Sequence, residues 1–187
     1  MYNNASHALL FVVDTLLSLY VIVLLLRVLL QVTHAQFHNP LSQFVWRITK
    51  MPVGWLRLAI PRWRNVDVPA LVLALILCFI NIELDIALMP LPFAGQPLLV
   101  LWWALLKMLT LLCDLYFFTI LAQAILSWIA PSQYSPATAL LWSVNEPLLK
   151  PVRRHMPPIA GLDLSPLIVL IGLQVVNLLI PLLPILR

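Results

Sequence analysis

One stretch of this chain occurs twice, without a gap, displaced by 96 residues from Pro40 to Pro136. Residues 39–67 read NPLSQFVWRITKMPVGWLRLAIPRWRNVD, and residues 135–163 read SPATALLWSVNEPLLKPVRRHMPPIAGLD. The shift places Arg57 on Arg153, Pro61 on Pro157 and Asp67 on Asp163. A repeat at a fixed period fixes the architecture before any other feature does, because each copy must fold alike and pack against its neighbour. In each copy an N-capping residue, Asn39 or Ser135, precedes a proline suited to the first helical position. Apolar residues then recur at helical spacing: Leu41, Phe44, Val45 and Ile48, then Ala137, Leu140, Leu141 and Val144. Ser42, Gln43, Arg47 and Lys50 fall on the opposite side, so the pattern is that of an amphipathic helix. A second short helix is expected at 52–60 and 148–156, after Pro52 and before Pro157, making each arm two short helices lying on a surface.

Long apolar runs flank the arms. Hydrophobic residues make up 63% of the chain, charged residues 10%, and the mean hydropathy is +1.00. That composition excludes an ordinary soluble domain and indicates an integral membrane protein. The expected fold is an all-α membrane protein with four transmembrane helices arranged as two parallel repeats, each a helix, a cytoplasmic amphipathic arm and a second helix. The first repeat covers 1–96, with spans 8–32 and 68–88 and arm 39–67. The second covers 97–187, with spans 104–128 and 164–184 and arm 135–163. Asp67 is expected to cap the span that follows it. A turn is expected at Pro90-Leu-Pro92 and Gly95-Gln-Pro97. Residues 98–129 form one apolar run longer than a bilayer core, and the repeat assigns the spanning part to 104–128.

Orientation follows from the bases. Arg27, Arg47, Lys50, Arg57, Arg62, Arg64, Lys150, Arg153 and Arg154 border or occupy the arms, and the turn near Pro90 has none. The positive-inside rule then places both arms in the cytoplasm and both termini outside. Trp46, Trp55, Trp63, Trp128 and Trp142 fit an inner aromatic belt, and Trp102 and Trp103 an outer one. The net charge of +4 is accounted for by membrane topology and anionic lipid, not by nucleic acid. Cys78 and Cys113 lie in apolar runs and read as small apolar filler. No basic stretch precedes the first apolar run, so a cleaved signal peptide is not expected.

The second arm carries Asp/Glu-Pro-Leu-Leu-Lys/Arg-Pro-Val/Ile-Arg-Arg-x-x-Pro from Glu146 to Pro157, then Gly-x-Asp-x-Ser-Pro from Gly161 to Pro166. With its weaker first copy, this pattern resembles the YggT family, called YlmG in some lineages, over nearly the whole chain. Met51, Trp55 and Leu58 depart from the family pattern in the first copy. The resemblance implies a small bacterial inner-membrane protein without established catalysis. It further implies a link to osmotic-stress tolerance and potassium uptake, to cell division in other lineages, and to nucleoid distribution and cytochrome assembly in plastids.

Among residues that might carry chemistry, Arg57, Lys150, Arg153 and Arg154 form the candidate lipid- or partner-binding arm, with anionic headgroups or a membrane or cytoplasmic protein as ligand. Asp114, Lys107 and Glu83 form a candidate intramembrane ion site, since ionisable groups within spans are functional candidates by default. Asp14, Glu83, Asp85 and Lys107 are also expected near the outer headgroups, with Lys107 paired to Glu83 or Asp85. His34 and His38 have i, i+4 spacing but no third ligand nearby, and read as a polar interfacial pair. No nucleophile elbow or phosphate-binding glycine loop is present. The expected protein is therefore not an enzyme and binds no cofactor or metal. It is expected to organise lipids or partners in osmotic or envelope homeostasis, as a monomer or a homo-oligomer. The alternative is a transport component for potassium or another cation.

Overall fold

The computed structural model describes residues 4–35, 39–61, 66–88, 95–129, 135–155 and 163–182. It is all-helical. Six helices follow one another: α1 (Asn4–Val32), α2 (Pro40–Leu56), α3 (Val68–Leu88), α4 (Pro97–Ile129), α5 (Pro136–His155) and α6 (Ser165–Leu179). The expected turn at Pro90–Pro92, the residues His38, Arg62, Trp63, Arg64 and Pro157, and the side chain of Trp128 lie outside the described residues.

Among the described residues, three helices are long and apolar enough to cross a membrane: 8–32, 68–87 and 97–127. The expected spans 8–32 and 68–88 coincide with α1 and α3. The run from Pro97 is a single unbroken helix, so the predicted span 104–128 sits inside a longer rod. The fourth span, expected over 164–184, is represented by a helix of 15 residues. That is about 22 Å of rise, against a hydrocarbon core of about 30 Å. Ile180 leaves α6 in an extended conformation, and Pro181 then follows and cannot donate an amide to continue it.

The arms differ from expectation first in their continuity. Each is one continuous helix, not two. Pro52 lies inside α2, and Pro147 and Pro151 lie inside α5. A proline removes the amide that residue i−4 would bind. For Pro52 that acceptor is the Ile48 carbonyl, and the Tyr20 hydroxyl of α1 donates to it at 3.3 Å. Pro147 and Pro151 are exposed and one turn apart, so the carbonyls they leave unpaired lie on the side of α5 turned away from the bundle.

The helix starts follow the sequence. Asn39 accepts from the Leu41 amide at 2.9 Å, with Pro40 at the first helical position. Ser135 and Thr138 cap one another: the Thr138 amide donates to Ser135 Oγ at 3.2 Å, and the Ser135 amide donates to Thr138 Oγ1 at 2.9 Å. Helix α1 ends with His34 at a positive φ of 52°, and the Ala35 amide donates to the Leu30 carbonyl at 3.0 Å. This is a Schellman turn with histidine at the position glycine usually takes.

Helices α1, α3 and α4 enclose the larger core, built on Val21, Leu24, Leu25, Ala70, Ala74, Cys78, Ala104 and Cys113. Both cysteines are buried and free. The repeated packing is evident: α1 contacts α2 and α3 as α4 contacts α5 and α6, and α1 also meets α4. The two arms meet α1 at a second cluster of Leu30, Ala35, Val45, Leu140 and Val144, and α2 meets α5 there.

The inward face of α2 is Ser42, Val45, Thr49 and Val53. It is offset from the predicted stripe, because only Val45 of that stripe is buried. Leu41, Phe44 and Ile48 are exposed, and so are Met51 and Trp55 on the same side. Ser42, expected outward, points in. The reason is chemical: the surface that α2 covers is polar, as described next, and draws Thr49 inward.

Candidate functional site

Where α1, α2 and α3 meet, four polar side chains assemble around a tryptophan. Arg27 is fully buried in the last third of α1. Its Nε donates to Asp67 Oδ2 at 3.0 Å and its Nη1 donates to Thr49 Oγ1 at 2.7 Å. Arg57, just past α2, donates from Nη2 to the same Asp67 oxygen at 2.6 Å. The Arg27 guanidinium lies 4.0 Å from the centre of the Trp46 ring, and the Arg57 guanidinium 5.5 Å from it. Two arginines thus share one buried carboxylate and one aromatic face. A buried ion pair needs further hydrogen bonds to offset its desolvation, and here Thr49 and the Trp46 ring supply part of that, while Asp67 Oδ1 and Arg57 Nε are buried without a hydrogen-bond partner among the described residues. Asp67 holds the N-cap position expected of it, its backbone carbonyl accepting from the Leu71 amide at 3.2 Å, but its carboxylate is turned to the arginines and not to the amides of α3.

The second arm repeats the arrangement. Arg153 Nε donates to Asp163 Oδ2 at 2.7 Å, and its guanidinium lies 4.7 Å from the centre of the Trp142 ring. The position of Arg27 is taken by Gln123 and that of Thr49 by Asn145, and Asn145 Nδ2 donates to Gln123 Oε1 at 2.8 Å. Thr119 Oγ1 in turn donates to Asn145 Oδ1 at 2.8 Å. Neutral amides thus replace the buried charge, and Asp163 is left near the surface. Burial pushes the Asp163 carboxyl up, but hydrogen bonds from Ser165 and Arg153 and the Arg153 charge outweigh it and leave it below the usual carboxylate value. Glu146 adds a second partner for Arg153 at 3.0 Å.

A third repeated contact lies inside the helix pairs. Asn81 Nδ2 donates to Ser18 Oγ at 3.4 Å, and Asn177 Nδ2 donates to Asp114 Oδ1 at 2.8 Å. Asn81 and Asn177 are 96 residues apart, and so are their partners Ser18 and Asp114.

The candidate residues separate into groups. Arg57 and Arg153 are engaged in the two locks. Lys150 and Arg154 are exposed and form no ion pair among the described residues. The intramembrane trio is not brought together. Lys107, nearly fully buried, donates to Asp14 at 2.8 Å, not to Glu83 or Asp85. Each of Asp14 and Lys107 is the eleventh residue of its helix, so packing α1 against α4 sets them level. Asp114 meets Asn177, and Glu83 is exposed. His34 occupies the turn after α1, and His38 is outside the described residues.

Sequence reasoning passed over Arg27, Thr49 and Asp67 as interacting groups. A single arginine near the end of an apolar run reads as a topology signal. The signal available was the return of Asp67 as Asp163 beside the return of Arg57 as Arg153. It also passed over a groove on α2 of about 300 Å³ lined by Gln43, Trp46, Arg47 and Lys50.

These features define a helical membrane protein built on a duplicated helix–arm–helix pattern with an arginine–aspartate lock in each copy. Comparison with known proteins gives the family. The family model CCB3/YggT matches the chain twice, over residues 6–88 and 102–184. The chain is similar to the YggT protein of Escherichia coli K12, with 38% identity over 170 residues, 90% of this chain and 86% of that one. It is 37% identical to an uncharacterised protein of Pseudomonas aeruginosa over 173 residues, covering 92% of this chain and 88% of the relative. A Vibrio alginolyticus protein encoded in the proC 3′ region is 36% identical over 169 residues, 90% of this chain and 91% of the relative. No solved structure matches. The chain belongs to the CCB3/YggT family.

Proposed function

We propose that this protein is a non-enzymatic inner-membrane organiser whose two amphipathic arms lie at the cytoplasmic face and bind anionic lipid or partner proteins. The observation that carries the reading is the repeated lock, Arg57 to Asp67 and Arg153 to Asp163, each beside a tryptophan. A lock in each copy fixes an arm against the foot of the next membrane helix. A fixed arm can present a surface; a loose one would fluctuate. The surface it presents is suited to a headgroup boundary, since Leu41, Phe44, Met51 and Trp55 on α2 are exposed. Lys150 and Arg154 add exposed charge on α5.

In this reading the chain has four spans as two parallel repeats, with α6 forming the fourth. A helix of 15 residues is accommodated by local thinning of the bilayer. The exposed Leu167, Ile171, Val175, Leu178 and Leu179 of α6 suit contact with acyl chains. In the same reading both arms lie inside and both termini outside, and the bases flanking the arms support that orientation. Support for osmotic-stress tolerance or envelope and division organisation comes from the family resemblance.

The test is growth under osmotic upshift in a strain lacking the protein and supplied with Lys150→Gln/Arg154→Gln. Neither residue takes part in a lock, so membrane insertion should survive. Failure to restore growth with normal membrane levels is expected. Full restoration would sink the role of the second arm.

A further inference from the structure

We propose that the groove on α2 formed by Gln43, Trp46, Arg47 and Lys50 is a binding site for the phosphate of an anionic phospholipid headgroup, and that the second arm has lost the corresponding site. The inference rests on the reading of the arms as interfacial and narrows it to one ligand and one arm.

Three faces divide α2 at 100° per residue. Ser42, Val45, Thr49 and Val53 face the protein. Leu41, Phe44, Ile48, Met51 and Trp55 form an exposed apolar face. Gln43, Trp46, Arg47 and Lys50 form the third, which carries the groove of about 300 Å³, an open and shallow depression with a chiefly apolar wall. The ligand must therefore be anionic at one end and apolar at the other to use both exposed faces, as a phospholipid does. An acidic peptide would use only the basic one.

The charge is unbalanced in the right sense. Arg47 and Lys50 lie three residues apart and form no ion pair among the described residues. Like charges at that spacing repel on a helix unless an anion lies between them. Beside them, the Trp46 ring carries Arg27 and Arg57, and both guanidinium groups are paired to the one carboxylate of Asp67. The neighbourhood of the groove is thus positive even before Arg47 and Lys50 are counted. Arginine supplies paired donors for phosphate oxygens and lysine a mobile point charge.

The second arm has the same tryptophan but not the same charges. The positions of Gln43, Arg47 and Lys50 are taken by Ala139, Ser143 and Glu146. Glu146 also occupies an Arg153 nitrogen at 3.0 Å. A carboxylate of the chain itself stands where a lipid phosphate would be drawn in the first arm. The bases of the second arm, Lys150 and Arg154, lie further along α5.

The experiment uses the full-length protein in phosphatidylcholine nanodiscs carrying increasing phosphatidylglycerol, with retained lipid counted by native mass spectrometry after release. Wild type should retain phosphatidylglycerol over phosphatidylcholine. Arg47→Gln/Lys50→Gln should lower that preference roughly 30-fold, the effect of two bases near an anionic surface. Lys150→Gln/Arg154→Gln removes the same charge elsewhere and should lower it much less. Equal losses in the two double variants would overturn the proposal in favour of diffuse charge, and no loss in the first would overturn it outright. Inorganic phosphate held in phosphatidylcholine alone and not displaced by added phosphatidylglycerol would overturn the lipid as ligand. A spin label at Phe44→Cys, with Cys78 and Cys113 replaced by alanine, reports arm depth in phosphatidylcholine alone. A label in water means that the interfacial reading has failed; a label at the headgroups without lipid preference means that only this site has failed.

Discussion

Arg57 Nη2 lies 2.6 Å from Asp67 Oδ2, and 96 residues later Arg153 Nε lies 2.7 Å from Asp163 Oδ2. The two pairs occupy equivalent places in the two halves but differ in surroundings. Asp67 is sealed at 0% side-chain exposure, with Arg27 sealed behind it, whereas Asp163 is 41% exposed.

That difference predicts unequal damage from the same substitution. Asp67→Asn leaves Arg27 charged and buried without its carboxylate. Removing one partner of a buried pair typically destabilises by about 3–5 kcal/mol. Asp163→Asn, on a pair open to solvent, should do far less. Thermal unfolding in detergent, followed by near-ultraviolet circular dichroism, checks the order; equal midpoints for the two variants would contradict it.

The second lock should also respond to acid. The Asp163 carboxyl sits below its ordinary value of 3.8 in the folded chain, chiefly because the Ser165 and Arg153 hydrogen bonds outweigh its burial. A carboxyl lowered on folding contributes stability that is present above its unfolded value and lost as pH falls through the folded one. The label mobility of a probe on α5 should therefore rise only below about pH 4. In Asp163→Asn the same mobility should be high at neutral pH and free of that step.

The Lys107–Asp14 pair gives a third test. The Lys107 side chain is 5% exposed and that of Asp14 32%. Asp14→Asn should destabilise more than Asp14→Leu combined with Lys107→Met, because the double variant leaves no buried charge behind. A double-mutant cycle read from thermal midpoints measures the coupling, expected to be on the order of 1–3 kcal/mol.

Asp114→Asn separates the organiser from the cation transporter. Asparagine keeps a carbonyl for the Asn177 amide to donate to, so the fold should persist. Liposomes containing the purified protein under an osmotic gradient should show no potassium flux with either chain. Flux in wild type that disappears in Asp114→Asn would establish the transporter instead.

Much of the fold was legible because its signals are local. The caps at Asn39 and Ser135, the prolines after them and the apolar run at 68–88 each act over a few residues. The inward face of α2 was not legible. Leu41, Phe44 and Val45 are all apolar, and apolarity does not distinguish a lipid-facing side chain from a protein-facing one. The deciding residue is Thr49, and its partner Arg27 is 22 residues away on another helix. The hydroxyl that satisfies the carbonyl left by Pro52 belongs to Tyr20, 28 residues before that carbonyl in sequence. The site was half legible for the same reason: Arg57 and Arg153 stood out as bases, but their use as locks required Asp67 and Asp163 to be brought back to them.

The side chain of Asn39, which caps the first arm, also donates to the carbonyl of Pro136 at the start of the second. Together with the packing of α1 on α4 and of α2 on α5, this makes the boundary between the halves a working interface. A chain with one half alone would have to find that surface in another molecule, at whatever concentration the membrane held. Joining the halves makes the association intramolecular and independent of expression level. A tilt imposed on one arm is then felt at the root of the other, so the arms behave as two levers on a common hinge pin.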